Sequence, residues 1–75
     1  ERGQAVHMVF SDGLASVSVF IEPLNDGVQV GLGPLASGAI NIYKRSVNGH
    51  LITALGEVPE RAVKLIGEAI LPAGQ

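Results

Sequence analysis

Cysteine and tryptophan are absent from the 75 residues, and charged and aromatic side chains are scarce. Without cysteine the chain has neither a disulfide framework nor a thiolate metal site. Charged residues make up 16 % of the chain, and the five basic residues are outnumbered by seven acidic ones. Because a phosphate backbone is recognised through clustered positive charge, we predict no nucleic-acid partner.

Long apolar runs are also missing, although 47 % of the residues are apolar. No stretch approaches the roughly 18 consecutive apolar residues that suggest a transmembrane helix. The N-terminus lacks the basic segment and apolar run of a signal peptide. The apolar content excludes intrinsic disorder, and the length favours one small domain over residues 1–75. Because the chain begins at Glu1 without an initiator methionine, we interpret it as part of a longer protein.

The first informative segment, residues 4–22, predicts a β-hairpin. Apolar residues alternate with others in both halves of the segment, which is the pattern of two half-buried strands. Asp12-Gly13 lies between the halves and is a favoured centre for a two-residue type I′ turn. This turn predicts a register that keeps the apolar set on one face, with the pairs Ser11–Leu14, Phe10–Ala15, Met8–Val17 and Val6–Val19.

A predicted loop separates this hairpin from a second one. Residues 23–38 contain four glycines and two prolines, and within them Val28-Gln29-Val30 is a candidate short edge strand. Strands over residues 39–46 and 51–55 then flank Asn48-Gly49, a strong hairpin signal. This turn predicts one face with Ile40, Ile42, Leu51 and Leu55, and another with Tyr43, Ile52 and Ala54. Apolar residues on both faces indicate either burial in two layers or a patch that a partner or a second copy covers.

Residues 59–70 predict the single helix. Pro59 suits the first turn, and Glu60 complements the helix dipole. One apolar stripe is expected from Ala62, Val63, Ile66, Ala69 and Ile70. Gly67 either weakens the helix or permits close packing. The predicted fold class is therefore α+β, an antiparallel sheet of about four strands (two hairpins) with one C-terminal helix packed on one face.

Candidate catalytic groups are few. His7, Ser11 and Asp12 are the residue types of a nucleophile, base and orienting acid, but we interpret Asp12 as a turn residue and His7 as a strand residue opposite Ser18. His50 has no neighbouring carboxylate pair. The glycines of residues 31–38 match neither a P-loop nor a dinucleotide fingerprint. We predict no catalytic, cofactor-binding or metal site.

Residues 7–23, HMVFSDGLASVSVFIEP, resemble the C-terminal domain of the RseB/MucB family. Gly49-His50-Leu51 and Gly56-Glu57-Val58-Pro59 resemble later segments of that family at compatible spacing. The resemblance implies the smaller domain of a two-domain, non-enzymatic periplasmic regulator whose N-terminal domain is carrier-like. It also implies a role in the sigma-E type envelope stress response, in which the protein binds the periplasmic part of a membrane-bound anti-sigma factor and protects it from proteolysis.

Three residues are predicted to bind a partner, since their types are enriched at contact surfaces: Phe20, Tyr43 and Arg45. Two other functions stay open. One is a lipid or small-ligand binding module of the cell envelope, in which the glycine-rich loop closes over the ligand. The other is a purely structural domain of an envelope enzyme. Homo-oligomerisation through the second hairpin is a further expectation.

Overall fold

The structure is a computed structural model that describes residues 6–24 and 32–70, which form one antiparallel sheet and one helix. In chain order the elements are β1 Val6–Ser11, β2 Ser16–Pro23, β3 Gly33–Ser37, β4 Ile40–Val47, β5 His50–Gly56 and α1 Glu60–Ala69. The sheet order is β1-β2-β5-β4-β3. The predicted α+β class with a C-terminal helix is confirmed, and the sheet has five strands where about four were predicted. In the part of the chain described, no helix is long and apolar enough to cross a membrane.

The strand β3 lies where the sequence predicted a loop. It pairs with β4 at one edge of the sheet, with Ser37 opposite Ile40. Gly38, at a φ of +60°, takes the turn position that needs glycine in a type II′ hairpin. An edge strand tolerates Pro34, which is why the proline and the glycines did not prevent a strand here. The candidate strand at residues 28–30 lies outside the described residues.

The second hairpin has the predicted register. Asn48 and Gly49 have φ values of 50° and 79°, as both central positions of a type I′ turn require. Val47 lies opposite His50 across this turn. The two predicted faces are therefore confirmed: α1 covers the face that carries Tyr43, Ile52 and Ala54. The other side of the sheet, called the open face below, carries Ile40, Ile42, Leu51 and Leu55.

The first hairpin differs from the predicted register by two residues. The observed pairs include Ser11–Ser16, Phe10–Val17, Met8–Val19 and Val6–Ile21. The reason is the Asp12 side chain, whose Oδ1 accepts hydrogen bonds from the backbone N–H of Leu14 at 2.9 Å and of Ala15 at 3.0 Å. These bonds hold residues 12–15 in a four-residue loop instead of a two-residue turn. Because the shift is even, every side chain keeps its predicted face.

Because of Asp12, the folding stability of the domain is expected to depend on pH in the acidic range. The two N–H bonds lower the pKa of the Asp12 carboxyl below its usual 3.8. The folded state therefore favours the ionised form, and the added stability is present above pH 3.8 and disappears as pH falls through the folded-state pKa. We expect Asp12→Asn, which keeps an acceptor oxygen but no charge, to melt below the wild-type chain at neutral pH and to converge with it in acid. Thermal melts over a pH series measure this, and a constant gap at every pH would contradict it.

The core lies between the sheet and α1. It consists of the buried residues Val17, Val19, Ile52, Ala54 and Val63. Of the predicted apolar stripe on α1, Val63 is buried, Ala62, Ile66 and Ile70 are half-buried, and Ala69 is exposed; Gly67, which was not assigned to the stripe, is also buried. The covered helix face is therefore narrower than predicted, and part of the apolar stripe remains at the surface.

Candidate interaction surface

Two side chains of β4 fix α1 over β4 and β5. Near the helix C-terminus, Nη1 of Arg45 donates to the carbonyl oxygens of Gly67 and Ile70, both at 3.1 Å. Carbonyls at a helix C-terminus lack partners within the helix, so Arg45 acts as a C-terminal cap. At the other end of the helix, Nδ2 of Asn41 donates to the carbonyl of Val58 at 2.7 Å. Both ends of the helix are thereby tied to one strand.

Tyr43, which lies between Asn41 and Arg45 on β4, also contacts α1. Its ring lies directly beneath Gly67, where an added Cβ would stand 2.8 Å from Cδ2 of Tyr43. The phenol O–H donates to Oε2 of Glu68 at 3.0 Å. Partial burial, together with the hydrogen bond and negative charge of Glu68, raises the pKa of the Tyr43 hydroxyl. Of the two alternatives predicted for Gly67, the structure shows close packing, which brings α1 against β4.

Because α1 lies over β4 and β5, an apolar groove remains between α1 and the β1–β2 hairpin. Its volume is about 340 Å³, and its apolar walls are formed by Phe10, Ala15, Val17, Val58, Ala62 and Ile66. Ser11 and Asp12 also line it. Phe10 is 40 % exposed, so part of its side chain is accessible to a partner. We call this surface the helix-side groove.

The two flanks of α1 differ in charge. The α1 residues that line the groove, Ala62 and Ile66, are apolar, and so are Leu65 and Ala69, which each follow one of them by three residues. Leu65 does not line the groove and is 71 % exposed on the surface of α1. On the opposite flank of α1, Glu68 accepts the hydrogen bond from Tyr43. This flank carries the charged residues Glu60, Lys64 and Glu68. The helix-side groove is thus bordered by uncharged helix residues.

The open face presents a second, flatter surface. Phe20 lies on it and stacks on His7 of the neighbouring strand, with ring centroids 4.3 Å apart and planes 3° from parallel. Ile40, Ile42 and Leu55 are half-buried on the same side. At the β1–β2 loop this face ends in an open groove of about 510 Å³ with a largely polar lining that includes Ser16, Ser18 and Glu57.

A family model described as the MucB/RseB C-terminal domain matches residues 1–71. The chain belongs to this family. Its proteins are periplasmic, regulatory and non-catalytic, and membership implies a role in sigma-E regulation. No match was found among the curated proteins or among the solved structures.

The structure of this MucB/RseB C-terminal domain does not bring the three predicted partner-binding residues together. Phe20 lies on the open face, half-buried against His7. Tyr43 and Arg45 lie on the opposite side, where their polar groups bind α1. Their positions give Tyr43 and Arg45 a role in seating the helix. A direct contact between a partner and any of the three stays a prediction.

The residues of the helix-side groove were not singled out from the sequence. Phe10 was assigned to the buried face of the first hairpin, and Ala62 and Ile66 to the buried stripe of the helix. The available signal was Leu65, which widens the apolar arc of the helix beyond what one contact with a sheet can cover. An apolar arc of that width indicates a second contact surface on the domain.

The residues considered for catalysis make other contacts. His7 lies opposite Phe20 and not Ser18, which corrects the predicted register. The Ser11 hydroxyl accepts from the N–H of Gly13 at 3.2 Å, and the Asp12 carboxylate binds the backbone of its own loop. Among residues 6–24 and 32–70, no group of three His, Cys, Asp or Glu side chains is placed to hold a metal ion.

Proposed function

We propose that this chain is a non-enzymatic protein-interaction domain of a sigma-E type envelope stress regulator. In this proposal it lies in the periplasm, as the smaller domain of a parent protein whose N-terminal domain is carrier-like. It helps to bind the periplasmic part of a membrane-bound anti-sigma factor and thereby protects that segment from proteolysis. Membership of the MucB/RseB C-terminal domain family supports this role.

The observation that carries the proposal is the helix-side groove. Its walls join Phe10 of β1 to Ala62 and Ile66 of α1, and the adjoining Leu65 is largely exposed. Exposed apolar surface is typical of protein contacts, and aromatic side chains within it often carry much of the binding free energy. The groove is not an enclosed cavity, which suits a polypeptide segment better than a lipid chain, because small-ligand sites enclose most of their ligand.

The role of the whole domain is tested in the parent protein. We expect deletion of this domain to weaken binding of the anti-sigma factor's periplasmic region at least tenfold, about 1.4 kcal/mol. Isothermal titration calorimetry of the parent with and without the domain measures this. The rate at which the bound segment is cleaved by the protease that starts its degradation gives a second readout, since a protective domain slows cleavage. Unchanged affinity after deletion would overturn the proposal.

The groove itself is tested by one substitution. We expect Phe10→Ala to weaken binding of the same periplasmic region about tenfold, because truncating the aromatic residue of the groove wall removes apolar contact area. Leu14→Ala is the matched control, since Leu14 is 96 % exposed at the tip of the β1–β2 loop and does not line the groove. Circular dichroism establishes that both variants are folded. Equal affinities of the two variants would exclude the helix-side groove as the binding surface.

A further inference from the structure

The turn between β4 and β5 carries a reactive pair of neighbouring residues. The chain has three asparagines, Asn25, Asn41 and Asn48, and Asn48 is the one followed by glycine. An asparagine side chain can react with the backbone nitrogen of the next residue, because their approach closes a five-membered ring and needs no second molecule. Glycine favours this reaction, since it has no side chain to obstruct the approach.

The structure leaves the attacking nitrogen of this reaction unbonded. Asn48 and Gly49 are both exposed at the tip of the hairpin. In a two-residue turn the hydrogen bonds are made by the flanking pair, here Val47 and His50, and not by the second central residue. In the described part of the chain, the Gly49 N–H accordingly donates no backbone hydrogen bond. The Gly49 nitrogen therefore gives up no stabilising bond when it attacks.

His50 contacts the same peptide unit. Its Nδ1 lies 3.1 Å from the carbonyl oxygen of Asn48. A carbonyl oxygen only accepts hydrogen bonds, so this contact places a proton on Nδ1 and makes His50 the donor. The Asn48 carbonyl belongs to the amide whose nitrogen is that of Gly49. A hydrogen bond to this carbonyl stabilises the negative charge that the amide gains when its nitrogen loses a proton.

The other asparagine within the described residues lies in an unreactive setting. Asn41 is part of β4, where its Nδ2 donates to the carbonyl of Val58 at 2.7 Å. Its backbone lies between β3 and β5, opposite Ala36 and Gly56. The next residue, Ile42, is β-branched, and its side chain crowds the approach of the nitrogen. Asn41 is therefore an internal comparison for Asn48 within the same protein.

We propose that Asn48 is a site of spontaneous deamidation, with Gly49 as the nucleophile and His50 as the promoting donor. In the first step the Gly49 nitrogen loses its proton and bonds to Cγ of Asn48, while the bond from Cγ to Nδ2 breaks and ammonia leaves with that proton. Water then opens the resulting cyclic imide. Breaking the bond from Cγ to nitrogen gives aspartate, and breaking the bond from the main-chain carbonyl carbon to nitrogen gives isoaspartate. This chemistry does not depend on what the domain binds.

The two products affect the hairpin differently. Both add one negative charge to a chain whose net charge is −2. Aspartate keeps the turn, because Asp-Gly is also a favoured centre for a type I′ turn. Isoaspartate routes the backbone through Cβ and Cγ, so the lengthened turn no longer fits the pairing of Val47 with His50. Val47 packs against the core, and the Gly49 carbonyl accepts from the N–H of Leu24 at 2.9 Å, so both contacts depend on this turn.

Incubation of the folded parent protein at neutral pH and physiological temperature tests the proposal. Trypsin cleaves after Arg45 and Arg61 and releases residues 46–61, in which Asn48 is the single asparagine. We expect mass spectrometry to show deamidation at Asn48 at least about tenfold faster than at Asn41, with isoaspartate detected by an isoaspartate-specific methyltransferase. A sample digested without incubation corrects for reaction during digestion. Equal rates at the two asparagines, or no deamidation at Asn48, would overturn the proposal.

Two variants separate the parts of the mechanism. We expect His50→Phe, which keeps a ring but removes the donor, to slow deamidation about threefold or more, and an unchanged rate would overturn the role of His50. Asn48→Asp reproduces the added charge without lengthening the backbone. We expect this variant to melt close to wild type, while incubated protein that contains isoaspartate melts lower. Incubated protein that melts like Asn48→Asp would overturn the expected effect of isoaspartate on the hairpin.

Discussion

Replacing Ile52 by alanine is expected to lower the free energy of unfolding by about 2–5 kcal/mol. Ile52 is fully buried on the central strand β5, between Ile21 of β2 and Arg45 of β4. The substitution removes apolar contacts and leaves a cavity that a rigid sheet cannot close. In a domain of this size each kcal/mol lowers the melting temperature by about 4–8 °C. The expected decrease is therefore large enough to unfold a marginal domain near physiological temperature.

Leu65→Ala is the matched control for this experiment. Leu65 is 71 % exposed on α1, and alanine is at least as good a helix former as leucine, so we expect a change within about 0.5 kcal/mol. Chemical denaturation followed by circular dichroism measures both variants. Similar losses at the two positions would contradict the assignment of the core to the layer between the sheet and α1.

The two hairpins show when turn residues determine register. At Asn48-Gly49 both residues adopt positive φ, so the two-residue turn forms and the pairing follows directly from the sequence. At Asp12-Gly13 only Gly13 has positive φ, because the Asp12 side chain binds the N–H groups of Leu14 and Ala15 instead. Asp-Gly is compatible with a two-residue turn and with a longer loop. Which of the two forms depends on the hydrogen bonds of the Asp12 side chain, and the hydrophobic pattern of the sequence does not show these bonds. The side of the sheet on which each side chain lies was predicted correctly in both hairpins, because the register error in the first hairpin was an even number of residues.

The candidate site was less predictable than the fold. Arg45 and Tyr43 are residue types common at interfaces, yet in this sheet they point at α1 and bind its backbone and the Glu68 carboxylate. Pattern analysis places them on a face but does not say which part of that face the helix covers. The position of α1 over β4 and β5 comes from the close contact at Gly67 and from the Arg45 cap, both of which are tertiary contacts. The helix-side groove follows from that position, so the apolar arc widened by Leu65 indicates a second contact surface in the sequence but not where on the domain it lies.

Replacing Gly67 by alanine is expected to destabilise the domain, opposite to the usual effect in a helix. Glycine to alanine in a helix interior normally stabilises by about 0.5–1 kcal/mol. Here the new Cβ would stand 2.8 Å from Cδ2 and 3.4 Å from Cε2 of Tyr43, whose hydroxyl is held by Glu68. Relieving this overlap moves the helix or the ring, and overpacking of this kind costs about 1–3 kcal/mol.

The sign of the Gly67→Ala effect should depend on the Tyr43 ring. In a Tyr43→Val background the overlapping atoms are gone, while a β-branched residue still suits the strand, so the alanine is expected to stabilise by about 0.5–1 kcal/mol. Four proteins, namely wild type, both single variants and the double variant, form a cycle whose coupling energy is measured by chemical denaturation. A destabilising effect of the same size in both backgrounds would show that Tyr43 does not set the height of α1 above the sheet. A reversed sign would establish that one glycine and one ring hold the helix where the groove beside it can form.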